Sequence, residues 1–97
     1  MNCISCGNSF SLISSLEAAK FAWPKLRAFW YECVHCKSGN HIRVSDGRYQ
    51  QIKIIGAPGP EWNVIKTFSE KSLSYRQDQS YFHIWLKEKH YEIRAKS

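Results

Sequence analysis

From Ala28 onward, apolar and polar positions alternate in short runs separated by turn-forming residues, and the alternation predicts strands. Phe29-Trp30-Tyr31 is aromatic-rich and leads directly into Cys33. His41-Ile42-Arg43-Val44-Ser45 alternates strictly, and Arg48 to Ile55 alternates again near its end. Between them, Asp46-Gly47 is the residue pair favoured by a type I′ hairpin turn. These runs predict a three-stranded antiparallel meander. Upstream, Phe10, Leu12 and Ile13 suit a short strand or packing arm. Ser14 or Ser15 is placed to cap a helix over Leu16 to Ala22, which Pro24 ends. Downstream, Gly56-Ala57-Pro58-Gly59-Pro60 denies both helix and ladder and marks a hinge. Beyond it, Trp62, Ile65, Phe68, Leu73 and Tyr75 fit a helix loosely, while Val64-Lys66-Phe68 alternates as a strand; residues 61–77 stay open between the two. Tyr81 to Leu86 and His90 to Ala95 predict a terminal hairpin around Lys87-Glu88-Lys89.

The cysteines change this picture from a fold to a site. The chain has only four, arranged as two Cys-x-x-Cys pairs, Cys3/Cys6 and Cys33/Cys36, with 26 residues between them and a glycine after each pair, Gly7 and Gly39. Each pair presents two sulfurs from one knuckle, and four thiolates at ~2.3 Å complete the closed tetrahedron that a structural Zn2+ prefers. Iron takes the same four thiolates in rubredoxin-like sites and is the competing metal. His35, inside the second pair, is an alternative ligand, although a residue between paired cysteines more often points outward. Two disulfides would suit a secreted chain rather than a reducing cytosol.

Cys3-x-x-Cys6-Gly7 and Cys33-x-x-Cys36-Lys37-Ser38-Gly39, with strands expected around 28–33 and 41–45, resemble the zinc-ribbon class of small domains over about the first 55 residues. The resemblance implies an architecture and no activity. The class includes transcription and translation factors, ribosomal proteins and modules that contact only other proteins. One departure is the long spacer, which holds the expected helix and a proline. The resulting expectation is an α+β zinc ribbon: an antiparallel β-meander, one N-terminal helix and a C-terminal β-rich extension. Its organisation is a core over residues 1–55, a Pro/Gly hinge over 56–60 and an extension over 61–97 packed on the same domain.

At 97 residues the chain has the size of one small domain, for which a metal staple supplements a modest core. No run approaches the ~18 apolar residues that span a bilayer, and Met1-Asn2-Cys3 leaves no room for a leader, so a cytoplasmic protein without a membrane partner is expected. Catalysis is not expected: four thiolates leave no open position for water or a small-molecule substrate, and His41, His83 and His90 form no triad or His-Glu-x-x-His motif.

The formal charge of +6 drops to about +4 once four thiolates and Zn2+ are counted. Basic residues interleave with aromatics at Lys25, Arg27 and Trp30, at Arg43, Arg48 and Tyr49, and at Lys87, Lys89 and Arg94. Alternate positions of a strand face can offer rings to bases and cations to phosphates, so RNA or DNA binding in a transcription- or translation-related role is the first functional expectation. The bland alternative is that the 4 Trp, 5 Tyr and 5 Phe form the core and the cations are merely solvated. The rival function is a protein-interaction adaptor or inhibitor anchored by the same Trp, Tyr and Arg residues.

Overall fold

The computed structural model describes residues 1–54 and 62–96. One helix, α1 (Leu12–Glu17), precedes eight strands: β1 (Ala19–Trp23), β2 (Ala28–Glu32), β3 (Gly39–Ser45), β4 (Arg48–Ile54), β5 (Trp62–Ser69), β6 (Leu73–Gln77), β7 (Tyr81–Leu86) and β8 (Lys89–Arg94). The strands form a five-stranded sheet in the order β1-β2-β3-β4-β5 and a three-stranded sheet in the order β6-β7-β8, each neighbour antiparallel.

The alternation that predicts the strands also builds the core. In β3, Asn40, Ile42 and Val44 are buried while His41, Arg43 and Ser45 are half-buried on the other face. Phe29 and Tyr31 of β2 point the same way as Ile42 and meet Leu73, Phe82, Ile84, Leu86 and Ile93 of the smaller sheet. Leu12 and Leu16 of α1 join this cluster. Each fully buried side chain of this size contributes about 1.5–3 kcal/mol relative to exposure. Backbone bonds tie the sheets at two corners. Ala22 bridges Ala95 and accepts from the Lys96 amide at 2.9 Å, while the Gly47 amide donates to the Leu73 carbonyl at 2.9 Å.

The α+β expectation is overturned: the protein is mostly antiparallel β-structure in two sheets, with one six-residue α-helix and one 3-10 turn (Pro24–Leu26) among the described residues. The expected helix starts earlier and stops sooner. Ser11, not Ser14 or Ser15, is its N-cap, and Ser14 closes the capping box by accepting from the Ser11 amide at 3.0 Å. Ala19 to Trp23 is a strand because β2 offers a ladder in which Ala22 drops into the core while Phe21 and Trp23 face outward, a tertiary gain that overrides the helix propensity of Ala-Ala-Lys. The open segment resolves in favour of strands, β5 and β6. The Asp46-Gly47 turn joins Ser45 to Arg48, yet only Gly47 takes a positive φ, 75°, so it is not the doubly left-handed turn expected. The hinge expected at 56–60 lies outside the described residues. Among the described residues, no helix is long and apolar enough to cross a membrane.

Candidate metal centre

Two backbone knuckles of the same construction carry the cysteines. In the first, the Gly7 amide donates to the Cys3 carbonyl at 3.0 Å and the Cys3 amide to the Asn8 carbonyl at 2.8 Å. In the second, the Lys37 amide donates to the Cys33 carbonyl and the Cys33 amide to the Ser38 carbonyl, both at 2.9 Å. Position for position, the partner of Gly7 is therefore Lys37. Both are left-handed, with φ of 77° and 66°. Gly39 does different work: it opens β3 opposite Glu32, and a Cβ there would run into the Trp30 indole. The second knuckle is thus the turn of the β2–β3 hairpin. The first is the turn of a minimal ribbon held by the Asn2–Ser9 bridge.

These turns bring four sulfurs together from pairs of residues 27 and 33 positions apart. Cys3 Sγ lies 3.6 Å from Cys36 Sγ, and Cys6 Sγ lies 3.7 Å from Cys33 Sγ. All four lie within 4.8 Å of one another, and all four thiols are free. A tetrahedron with metal–sulfur bonds of ~2.3 Å has edges of ~3.8 Å, so the short separations match a shared ion. The four cysteines can hold a metal ion. His35 is exposed and stands outside the cluster.

Asn40 couples the two halves. Its Oδ1 accepts from the Ile4 amide at 3.0 Å, and its Nδ2 donates to Cys3 Sγ at 3.5 Å and to the Ser38 carbonyl at 3.4 Å. Gln51, on β4, donates to the Asn2 carbonyl at 2.7 Å and fixes the first knuckle on the large sheet. Asn8 adds a bond to Cys6 Sγ at 3.2 Å. Neither Asn40 nor Gln51 is predicted from spacing. The available signal was a polar residue falling on the inward register of an otherwise apolar strand face.

Cys3, Cys36 and Cys33 differ in how their surroundings favour the thiolate. Burial pushes the Cys3 thiol up, but the Asn40 amide and the backbone N–H groups of Cys6 and Ser5 outweigh it and bring it down to about 6. The Ser38 hydroxyl and amide draw Cys36 down as well. Cys33 goes the other way: N–H groups of Cys36 and His35 favour its thiolate, yet burial and the sulfurs of Cys3 and Cys36 push it up. At Cys33 the neighbouring sulfurs thus oppose ionisation, and a divalent cation at the centre of the cluster would remove that opposition.

The expected binding residues fall on separate surfaces. Trp30, Arg43 and Arg48 share the outer face of the large sheet, with Lys25 and Arg27 beside them in the turn between β1 and β2. On that face Arg43 Nε donates to Gln50 Oε1 at 2.9 Å, and Arg27 Nη1 to the Ser45 hydroxyl at 3.1 Å. Tyr49 points inward and stacks on Phe68 at 4.9 Å. Lys87 and Lys89 stand at the β7–β8 turn, and Arg94 lies on the outer face of the small sheet. The outer face of the large sheet also carries rings the sequence did not single out. Phe21 stacks on Trp30 at 4.9 Å and Trp23 on His41 at 5.5 Å, while Lys96 Nζ sits 4.7 Å from the Phe21 ring centroid. No protein-family model, curated protein or solved structure matches the chain.

Proposed function

We propose that the chain is a structural zinc module that binds single-stranded nucleic acid on the outer face of its five-stranded sheet. The observation that carries the zinc reading is the sulfur geometry, 3.6 and 3.7 Å across the two knuckles, together with a purely thiolate donor set, which favours Zn2+ over hard cations. Iron fits the same shell, and metal analysis of the purified protein distinguishes them. Four sulfurs fill the tetrahedron, so the ion's role is to hold the knuckles together rather than to activate water. Free thiols suit a reducing compartment such as the cytoplasm.

Support for the nucleic-acid reading comes from one surface: Phe21, Trp23, Trp30 and His41 form a partly exposed aromatic row flanked by Lys25, Arg27, Arg43, Arg48 and Lys96. Bases stack on such rings with little regard to sequence, at about 1–3 kcal/mol per base, while the cations track the phosphates. Fluorescence titration of the protein with single-stranded oligonucleotides tests it. Affinity is expected to fall steeply with added salt and to weaken on Trp23→Ala and on Arg48→Gln. Undetectable binding at low salt would rule it out.

A second reading, a protein adaptor, is favoured by a different surface. Ile4 and Val34 at the knuckle tips are 42% and 71% exposed, and Val64 and Ile65 are exposed on the edge strand β5. Exposed apolar tips and an open sheet edge suit a polypeptide partner. Oligonucleotide affinity that ignores both substitutions on the aromatic face would leave this reading in place of the first.

A further inference from the structure

We infer that the outer face of the small sheet holds a second metal site, formed by His83, His90 and Glu92, for a first-row divalent cation such as Zn2+, Ni2+ or Cu2+. In the β7–β8 register His83 lies opposite Glu92 and Trp85 opposite His90, which puts all three donors on one face of one hairpin. His83 Nδ1 is 2.9 Å from His90 Nε2 and 3.8 Å from Glu92 Oε1, and the three donor atoms lie within 4.8 Å of one another. Two imidazole nitrogens bound to one ion at ~2.0–2.1 Å stand about 2.9–3.4 Å apart for bond angles between 90° and tetrahedral. The observed spacing falls in that range without rearrangement.

The surroundings orient the donors for this use. His83 is almost fully buried although it sits on the outward face. Its Nε2 donates to Asp78 Oδ2 at 2.8 Å, which fixes the Nε2–H tautomer and turns the Nδ1 lone pair toward His90 and Glu92. Asp78 is itself held by the amides of Ser80 and Tyr81, at 2.8 and 2.7 Å. The His90 ring lies flat on Trp85, with centroids 4.6 Å apart and planes at 8°. Without an ion, His90 Nε2–H can donate to His83 Nδ1; with one, that proton moves to His90 Nδ1, which leaves a nitrogen lone pair of each ring for the metal. Two imidazoles and one carboxylate suit borderline cations rather than Mg2+ or Ca2+, and three protein ligands leave a coordination position for water or a fourth donor. This site shares no residue with the four-cysteine cluster.

Equilibrium dialysis of the full chain against Zn2+, followed by metal analysis, tests the inference. His90→Gln and Glu92→Gln alter exposed side chains, so both variants should fold, and each is expected to bind one equivalent less than the unaltered chain. Asp78 is a positioning residue. Asp78→Asn should leave the stoichiometry intact at saturation and weaken the second equivalent about 10–100-fold, with the melting temperature in metal-free buffer serving as the structural control. Substitution by Co2+ separates the two sites: thiolate-to-cobalt charge-transfer absorption reports the cysteine cluster and should be the same in all three variants. Zn2+ stoichiometry and affinity unchanged in both His90→Gln and Glu92→Gln would overturn the inference, whatever the cysteine cluster does.

Discussion

A few polar residues, unremarkable in the sequence, hold the site together. Asn40 is the clearest: one buried amide spans both knuckles and also reaches a sulfur. Asn40→Ala strips the Ile4 amide of its partner and Cys3 of a donor. It should cost about 1–3 kcal/mol of stability in urea unfolding and lower metal affinity about 10–100-fold in a chelator competition. His41 supplies a pH test. Burial lowers its pKa from the usual 6.5 to about 4, so the folded protein keeps it neutral where the unfolded chain takes up a proton. Its contribution is fully present above pH 6.5 and is lost as pH falls through 4. Urea midpoints at pH 7 and pH 5 should therefore differ less in His41→Gln than in the unaltered chain, at the same metal concentration. An equal difference in both proteins would remove His41 from the account. The four ligand candidates were legible in the sequence because cysteine pairs at this spacing have few other uses. Asn40 was not, because a lone Asn in a strand carries no spacing signal.

At the scale of elements, the strands of the β2–β3–β4 meander and of the terminal hairpin follow the alternation closely, since each has one face in the core. The helix was overread: Ala18 to Ala22 has helix-forming composition, but pairing with β2 across a short turn places Ala22 inside and the rings of Phe21 and Trp23 outside, a preference set by the sheet and not by local propensity. The His83, His90 and Glu92 constellation depends on a register that composition does not fix. A hairpin centred on Glu88 would set His83 against Ile93, whereas the observed turn sets it against Glu92, and a shift of one residue moves His90 to the opposite face. The knuckles carry a prediction of their own. Lys37 occupies the left-handed position that Gly7 fills in the other knuckle, whereas Gly39 lies under Trp30. Lys37→Gly should be neutral or stabilising by up to about 1 kcal/mol, because relief of the left-handed backbone exceeds the entropy cost of glycine. Gly39→Ala should destabilise by about 1–3 kcal/mol through collision with the indole. The reverse order in urea unfolding would mean that the second turn has been misassigned.

For the molecule as a whole, the two sheets share a core, and the four-cysteine cluster is clamped by the two N-terminal knuckles on the large sheet. The three regions are separate: the four sulfurs lie where the two knuckles meet, the aromatic face proposed for nucleic acid is the outer face of the large sheet, and the His-Glu triangle lies on the small sheet. A metal held by the four sulfurs would be coupled to folding, so chelation should lower the melting temperature and restored Zn2+ should recover it. Sequence spacing announced the cluster but not the two-sheet architecture, because the pairing of β5 with β4 and of β6 with β7 leaves no local motif. The most direct test of the central claim is the absorption spectrum of the Co2+-loaded protein, recorded for the unaltered chain and for Cys33→Ser. A shared four-sulfur site predicts intense thiolate-to-cobalt bands and tetrahedral d–d bands in the former, both collapsing in the latter with loss of melting temperature. Identical spectra and melting in the two proteins would contradict it.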